Sequence, residues 1–103
     1  MPTFVQVATA DQLPEGAALK VEVDGRIIAL FHVDGQISAI DGLCPHQGGP
    51  LADGPIEGSL VYCPWHDWGF DIRTGQSMVN PTWKQAVYPV KVEDGAVWVE
   101  IDP

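Results

Sequence analysis

The chain has 103 residues and a formal net charge of −9, from 5 basic and 14 acidic side chains. Hydrophobic residues make up 46% and charged residues 18%, which excludes a disordered chain, and the length leaves room for a single domain, 1–103. The acidity argues against nucleic acid and membrane surfaces, both of which select Lys and Arg, and permits steering toward a basic protein partner. No stretch is apolar for long enough to span a bilayer and Met1-Pro2-Thr3 starts no signal peptide, so a cytoplasmic protein, a monomer in isolation, is expected.

Short strands punctuated by turns follow in chain order. Phe4-Val5-Gln6-Val7 alternates as an opening strand, and residues 11–16 read as a turn or one helical turn. Ala18–Val23, Arg26–Val33 and residues 36–40 come next, separated by Asp24-Gly25 and Asp34-Gly35. An Asp-Gly pair between alternating runs is a strong hairpin signal, because both residues tolerate a left-handed backbone. From about 41 to 82 the texture changes. Gly48, Gly49, Gly54, Gly58, Gly69 and Gly75 mix with Pro45, Pro50, Pro55, Pro64 and Pro81, and only Leu60–Tyr62 and residues 69–72 read as strands. Residues 87–93 and Ala96–Ile101, joined by Asp94-Gly95, close the chain as a hairpin. The expected fold is all-β, with antiparallel sheets in a sandwich or small barrel carrying a Gly/Pro-rich subdomain of two loops. That subdomain looks too poor in apolar residues to organise itself, and a bound metal would supply the order.

The loops carry the chemistry. Cys44-Pro45-His46 and Cys63-Pro64-Trp65-His66 use both cysteines of the chain and two of its three histidines. In a reducing compartment such a set reads as metal ligands rather than as a Cys44–Cys63 disulfide. Structural zinc is the competing occupant, although zinc usually takes two cysteines from one knuckle and each loop here mixes Cys with His. Gly48 and Gly49 let the backbone curl around a cluster, Pro45 and Pro64 stiffen each loop after its thiolate, and Pro50-Leu51, Pro64-Trp65 and Pro81 offer apolar cover. His32, in the run Arg26–Val33, reads as a structural histidine. Trp65 and Trp68 read as a hydrophobic collar around His66, and Trp83 and Trp98 as core or half-buried sheet residues. Asp53, Glu57, Asp67 and Asp71 read as solvated turn residues, with a docking patch as the alternative.

Cys44-Pro-His46-Gln-Gly-Gly-Pro-Leu, then Tyr62-Cys63-Pro-Trp-His66-Asp-Trp-Gly-Phe-Asp71, then Thr74-Gly75, resembles the Rieske-type ferredoxin pattern. The likeness runs along almost the whole chain, through Tyr88-Pro-Val90 and the closing hairpin. It implies one 2Fe–2S cluster, with Cys44 and Cys63 on the inner iron and His46 and His66 on the iron nearer the surface. High-potential Rieske subunits carry two further cysteines, where this chain has Gly49 and Trp65, and hydroxyl donors, where it has Trp68 and Phe70. Fewer hydrogen bonds to the cluster lower its potential, so a value near the low end of the Rieske range, about −150 mV, is expected. A Rieske oxygenase also needs a mononuclear iron held by two His and a carboxylate, and only His32 is left over. The resemblance therefore implies an electron carrier and not an enzyme. It would pass electrons from a flavin-containing NAD(P)H reductase to a terminal Rieske oxygenase acting on aromatic rings. The alternative is the small Rieske-type subunit of an NAD(P)H nitrite reductase, which Asn80-Pro81-Thr82-Trp83 keeps open.

Overall fold

In a computed structural model of the chain, residues 3–43, 50–65, 68–79, 82 and 84–101 are described. Ten strands appear among them, β1 (Thr3–Thr9), β2 (Ala18–Val23), β3 (Arg26–Val33), β4 (Gln36–Asp41), β5 (Ile56–Glu57), β6 (Leu60–Tyr62), β7 (Gly69–Asp71), β8 (Val87–Tyr88), β9 (Val90–Glu93) and β10 (Ala96–Ile101). Single 3-10 turns at Ala10–Gln12 and Leu51–Asp53 are the remaining regular elements among those residues. All strand pairings are antiparallel, so the all-β expectation holds. The strands form three sheets, in the orders β1-β10-β9, β2-β3-β4-β8 and β5-β6-β7.

The three Asp-Gly turns are where the sequence puts them. Asp24, Asp34 and Asp94 have φ of 51°, 54° and 53°, each followed by a glycine at positive φ. A left-handed pair matches the twist of the flanking strands and closes a two-residue hairpin. The run 87–93 differs from its reading as one strand. It breaks at Pro89, which has no N–H to give a ladder. β8, before the break, pairs with β4, whereas β9, after it, pairs with β10. Pro89 is thus where the chain passes from one sheet to another.

β3 is the shared wall of two cores. Successive strand residues face opposite ways. Ile28 and Leu30 join Leu13, Ala39, Val97 and Val99 in one core, while Ala29 and Phe31 join Ile40, Leu51, Val61, Cys63, Phe70 and Ile72 in the other. The second core corrects the expectation that the Gly/Pro-rich subdomain lacks apolar organisation. Leu51, Val61 and Phe70 come from that subdomain and are completely buried. The third sheet is therefore seated on β3 and β4 by its own side chains, and it carries the second ligand loop.

Candidate metal centre

Both Cys/His motifs sit on loops whose stems are closed by backbone bonds. The first loop, 44–49, lies outside the described residues, but its stem does not. Leu43 pairs with Pro50, the Leu51 N–H donates to the Gly42 carbonyl at 2.9 Å, and the Gly42 N–H donates to Ile27 at 2.8 Å. In the second loop Tyr62 pairs with Gly69, and one step further in the Cys63 N–H donates to the Trp68 carbonyl at 2.8 Å. The two stems come together through the second core, where Leu51, one residue beyond the first stem, packs in the same cluster as Cys63.

Cys63 is the described member of the expected ligand set. It is buried, with a free thiol, among Val61, Phe70 and Leu51. Cys44, His46 and His66 lie outside the described residues, as do Pro45, Gly48, Gly49, Asp67, Asn80, Pro81 and Trp83. Among the described residues no group of three or more His, Cys, Asp or Glu is placed to hold a metal ion. The donor chemistry nevertheless fits a mixed-ligand 2Fe–2S cluster. A buried thiol inside a closed loop beside an apolar core is suited to a soft, dehydrated metal group.

The other expected site residues separate cleanly. His32 is half-buried, its Nδ1 2.8 Å from the Leu13 carbonyl and its Nε2 3.5 Å from Glu15 Oε1, which is a strut on the sheet and no ligand position. Asp71 Oδ1 accepts the N–H of Arg73 at 2.8 Å and of Thr74 at 3.2 Å and so closes a turn, while Asp53 and Glu57 are exposed. Trp68 packs against the second core, but Trp65 is 55% exposed. The two tryptophans therefore do different things. Leu43, Met78 and Val79 are similarly exposed, and the Met78 N–H donates to Gly69 at 2.8 Å, so exposed apolar side chains lie in or beside both stems.

Behind the first stem lies a polar network that the sequence gives no signal for. The Tyr88 hydroxyl donates to Asp41 Oδ1 at 2.7 Å. Burial first, then that hydrogen bond and the Asp41 charge, raise the Tyr88 pKa above 10.0, with Arg26 pulling the other way. The buried Gln85 side chain donates to the Leu43 carbonyl at 2.6 Å and to the Asp41 carbonyl at 3.2 Å. A cleft of about 280 Å³ opens beside the network, lined by Arg26, Ile27, Asp41 and Leu43.

The fold is that of Rieske-type iron–sulfur ferredoxins. The profile of the Rieske [2Fe-2S] domain matches residues 3–93, and the chain belongs to that family. Its cofactor is accordingly one 2Fe–2S cluster. The chain is 38% identical over 100 residues to the ferredoxin component of the naphthalene 1,2-dioxygenase/salicylate 5-hydroxylase systems of a Ralstonia species, covering 96% of both chains. It is 40% identical over 99 residues to the ferredoxin component of a Pseudomonas aeruginosa naphthalene 1,2-dioxygenase system, covering 95% of both. Among solved structures, the ferredoxin of carbazole 1,9a-dioxygenase from Nocardioides aromaticivorans IC177 superposes with a TM-score of 0.86 at 32% identity, over 94% of this chain and 96% of that one. A Mycobacterium tuberculosis chain assigned as an NADH-dependent nitrite reductase small subunit has a TM-score of 0.90 at 23% identity, over 100% of this chain and 98% of that one, and so shares the fold.

Proposed function

We propose that the chain, as one domain over 1–103, is a one-electron carrier whose 2Fe–2S cluster is held by Cys44, Cys63, His46 and His66. The observation that carries the reading is Cys63, a buried free thiol at the base of a closed Cys-Pro-Trp-His loop, beside the stem of a second loop with the complementary Cys-Pro-His. When bound, the cluster would take up and release one electron. The exposed rim of Leu43, Trp65, Met78 and Val79 supplies apolar contact at the loops' end, the form expected of a brief electron-transfer encounter.

The donor is a flavin-containing NAD(P)H reductase and the acceptor a terminal Rieske oxygenase of an aromatic-ring-hydroxylating system. Ferredoxin components are 38% and 40% identical over nearly the whole chain, and a carbazole 1,9a-dioxygenase ferredoxin of 28% identity is solved in complex with its oxygenase. The nitrite reductase subunit reading shares the fold at lower identity and is the lesser alternative. Action in the cytoplasm as a free monomer belongs to the same proposal, and no helix among the described residues is long and apolar enough to cross a membrane.

The purified protein is expected to be brown, with two irons and two acid-labile sulfides per chain and a mixed Cys/His signature in the EPR of its reduced state. A colourless protein holding one zinc would overturn the assignment. Replacing Cys63 with Ser or His66 with Ala should abolish or severely deplete that signal, and an unchanged spectrum would remove the residue from the ligand set.

A further inference from the structure

One buried residue, Gln85, bonds the stem of the first ligand loop with its side chain and the turn after β7 with its backbone. Gln85 is 5% exposed, and its side-chain nitrogen reaches two carbonyls of the first stem, Leu43 at 2.6 Å and Asp41 at 3.2 Å. Two acceptors fix which end of the amide faces them, because only the NH₂ group can serve both. Its backbone N–H donates to the Gly75 carbonyl at 2.7 Å. Gly75 closes the turn that leaves β7, since its own N–H donates to Asp71 at 2.8 Å, and β7 is the strand on which the second loop ends. The approach is tight, for a Cβ at Gly75 would lie 2.2 Å from the Gln85 carbonyl oxygen. One residue thus spans from the turn beyond the far end of β7 to Leu43, the last described residue before Cys44.

We propose that Gln85 is a positioning residue for the cluster, setting the first ligand loop against the second through the Leu43 carbonyl. The inference rests on the reading that Cys44 and Cys63 share one cluster. If each loop gives one ligand to each iron, the spacing of the loops is part of the cluster's coordination geometry. The Leu43 carbonyl belongs to the planar peptide unit leading into the first loop, so holding that oxygen sets the direction in which the chain enters it. Removing the amide leaves two carbonyls short of a donor, and the stem regains freedom that an intact bond denies it. Loop N–H groups that donate to cluster sulfurs would depend on that order, and such bonds raise the potential. A loosened stem should therefore lower it.

The test uses the full chain with its cluster. Gln85→Leu keeps the volume and removes the donor, and Gln85→Met serves if the branched side chain does not fold. Val99→Ala, which opens space in the other core, is the control for lost stability. Iron and sulfide content come first, since a wild-type protein without a 2Fe–2S cluster would fail the underlying reading and not this one. With cluster present, the Gln85 variants should show a lower midpoint potential and broadened reduced-state EPR lines, while Val99→Ala lowers the melting temperature alone. A lower melting temperature with unmoved potential and line widths in the Gln85 variants would overturn the proposal. So would an equal shift of potential in Val99→Ala.

Discussion

At Gly54 an added Cβ would stand 1.8 Å from the Tyr62 carbonyl oxygen and 2.9 Å from its carbon. The backbone there is extended, with φ of −83°, so any residue could adopt the conformation. What excludes a side chain is space, and the obstacle is backbone that cannot rotate away. Gly54→Ala should therefore force the Leu51–Asp53 turn off β6 and cost on the order of 3 kcal/mol or more, read by denaturant unfolding of the cluster-free protein. Tyr88 offers a second prediction at this scale. Its hydroxyl is held neutral by burial and by the Asp41 carboxylate, so its pKa in the fold lies above the ordinary 10.0. Above that pH the folded chain keeps a proton that the unfolded chain gives up, and stability falls as pH rises further. Below it the contribution is fully present. Denaturation midpoints should be flat in this respect up to about pH 10 and then decline, and Tyr88→Phe should flatten the alkaline decline. A decline of equal slope in that variant would assign it to other groups.

At the scale of elements, the β3–β4 hairpin is held from outside by a side chain nineteen residues earlier. Both oxygens of Glu15 accept backbone N–H groups of the turn, from Asp34 and from Gly35, each at 2.8 Å. Glu15→Ala should cost about 1 kcal/mol, below the usual range for charge-assisted bonds because the carboxylate is exposed, and Glu15→Gln less. Amide exchange at Asp34 and Gly35 would show the loss locally, and unchanged protection would mean the turn closes by itself. This hairpin also shows what was legible. Asp24-Gly25, Asp34-Gly35 and Asp94-Gly95 encode their turns in two adjacent residues, and β2 and β3 have the bounds the pattern predicts. Pro89 was hidden, because apolar residues continue on both sides of it and only the lost N–H separates the sheets. β5 is two residues long, too short for a period to register. Gln85 was invisible for another reason, as its partners Leu43 and Asp41 lie 42 and 44 positions away. The ligand motifs stand out because metal chemistry needs particular atoms at short spacing, whereas a positioning residue needs only a bond that folding creates.

For the whole molecule, charge decides how a partner is met. Nine negative charges are in excess, and the few cations are partly occupied within the fold. Arg73 lies 3.3 Å from Asp34, and the Lys91 ammonium sits 4.7 Å from the Phe4 ring and 5.6 Å from that of Trp98. The apolar rim at the loops has no charge of its own to orient an approach over long range. Steering must then come from the acidic field of the chain, and the rim takes over once contact is made. A Debye length of about 10 Å at 0.1 M salt weakens the first effect and leaves the second. Stopped-flow electron transfer to or from a redox partner carrying a basic docking face should therefore slow by about tenfold between low salt and about 0.5 M, with the first-order step inside the complex unchanged. A bimolecular rate that does not fall with salt would mean that the acidic field does not steer this encounter and that the exposed apolar side chains alone select the contact.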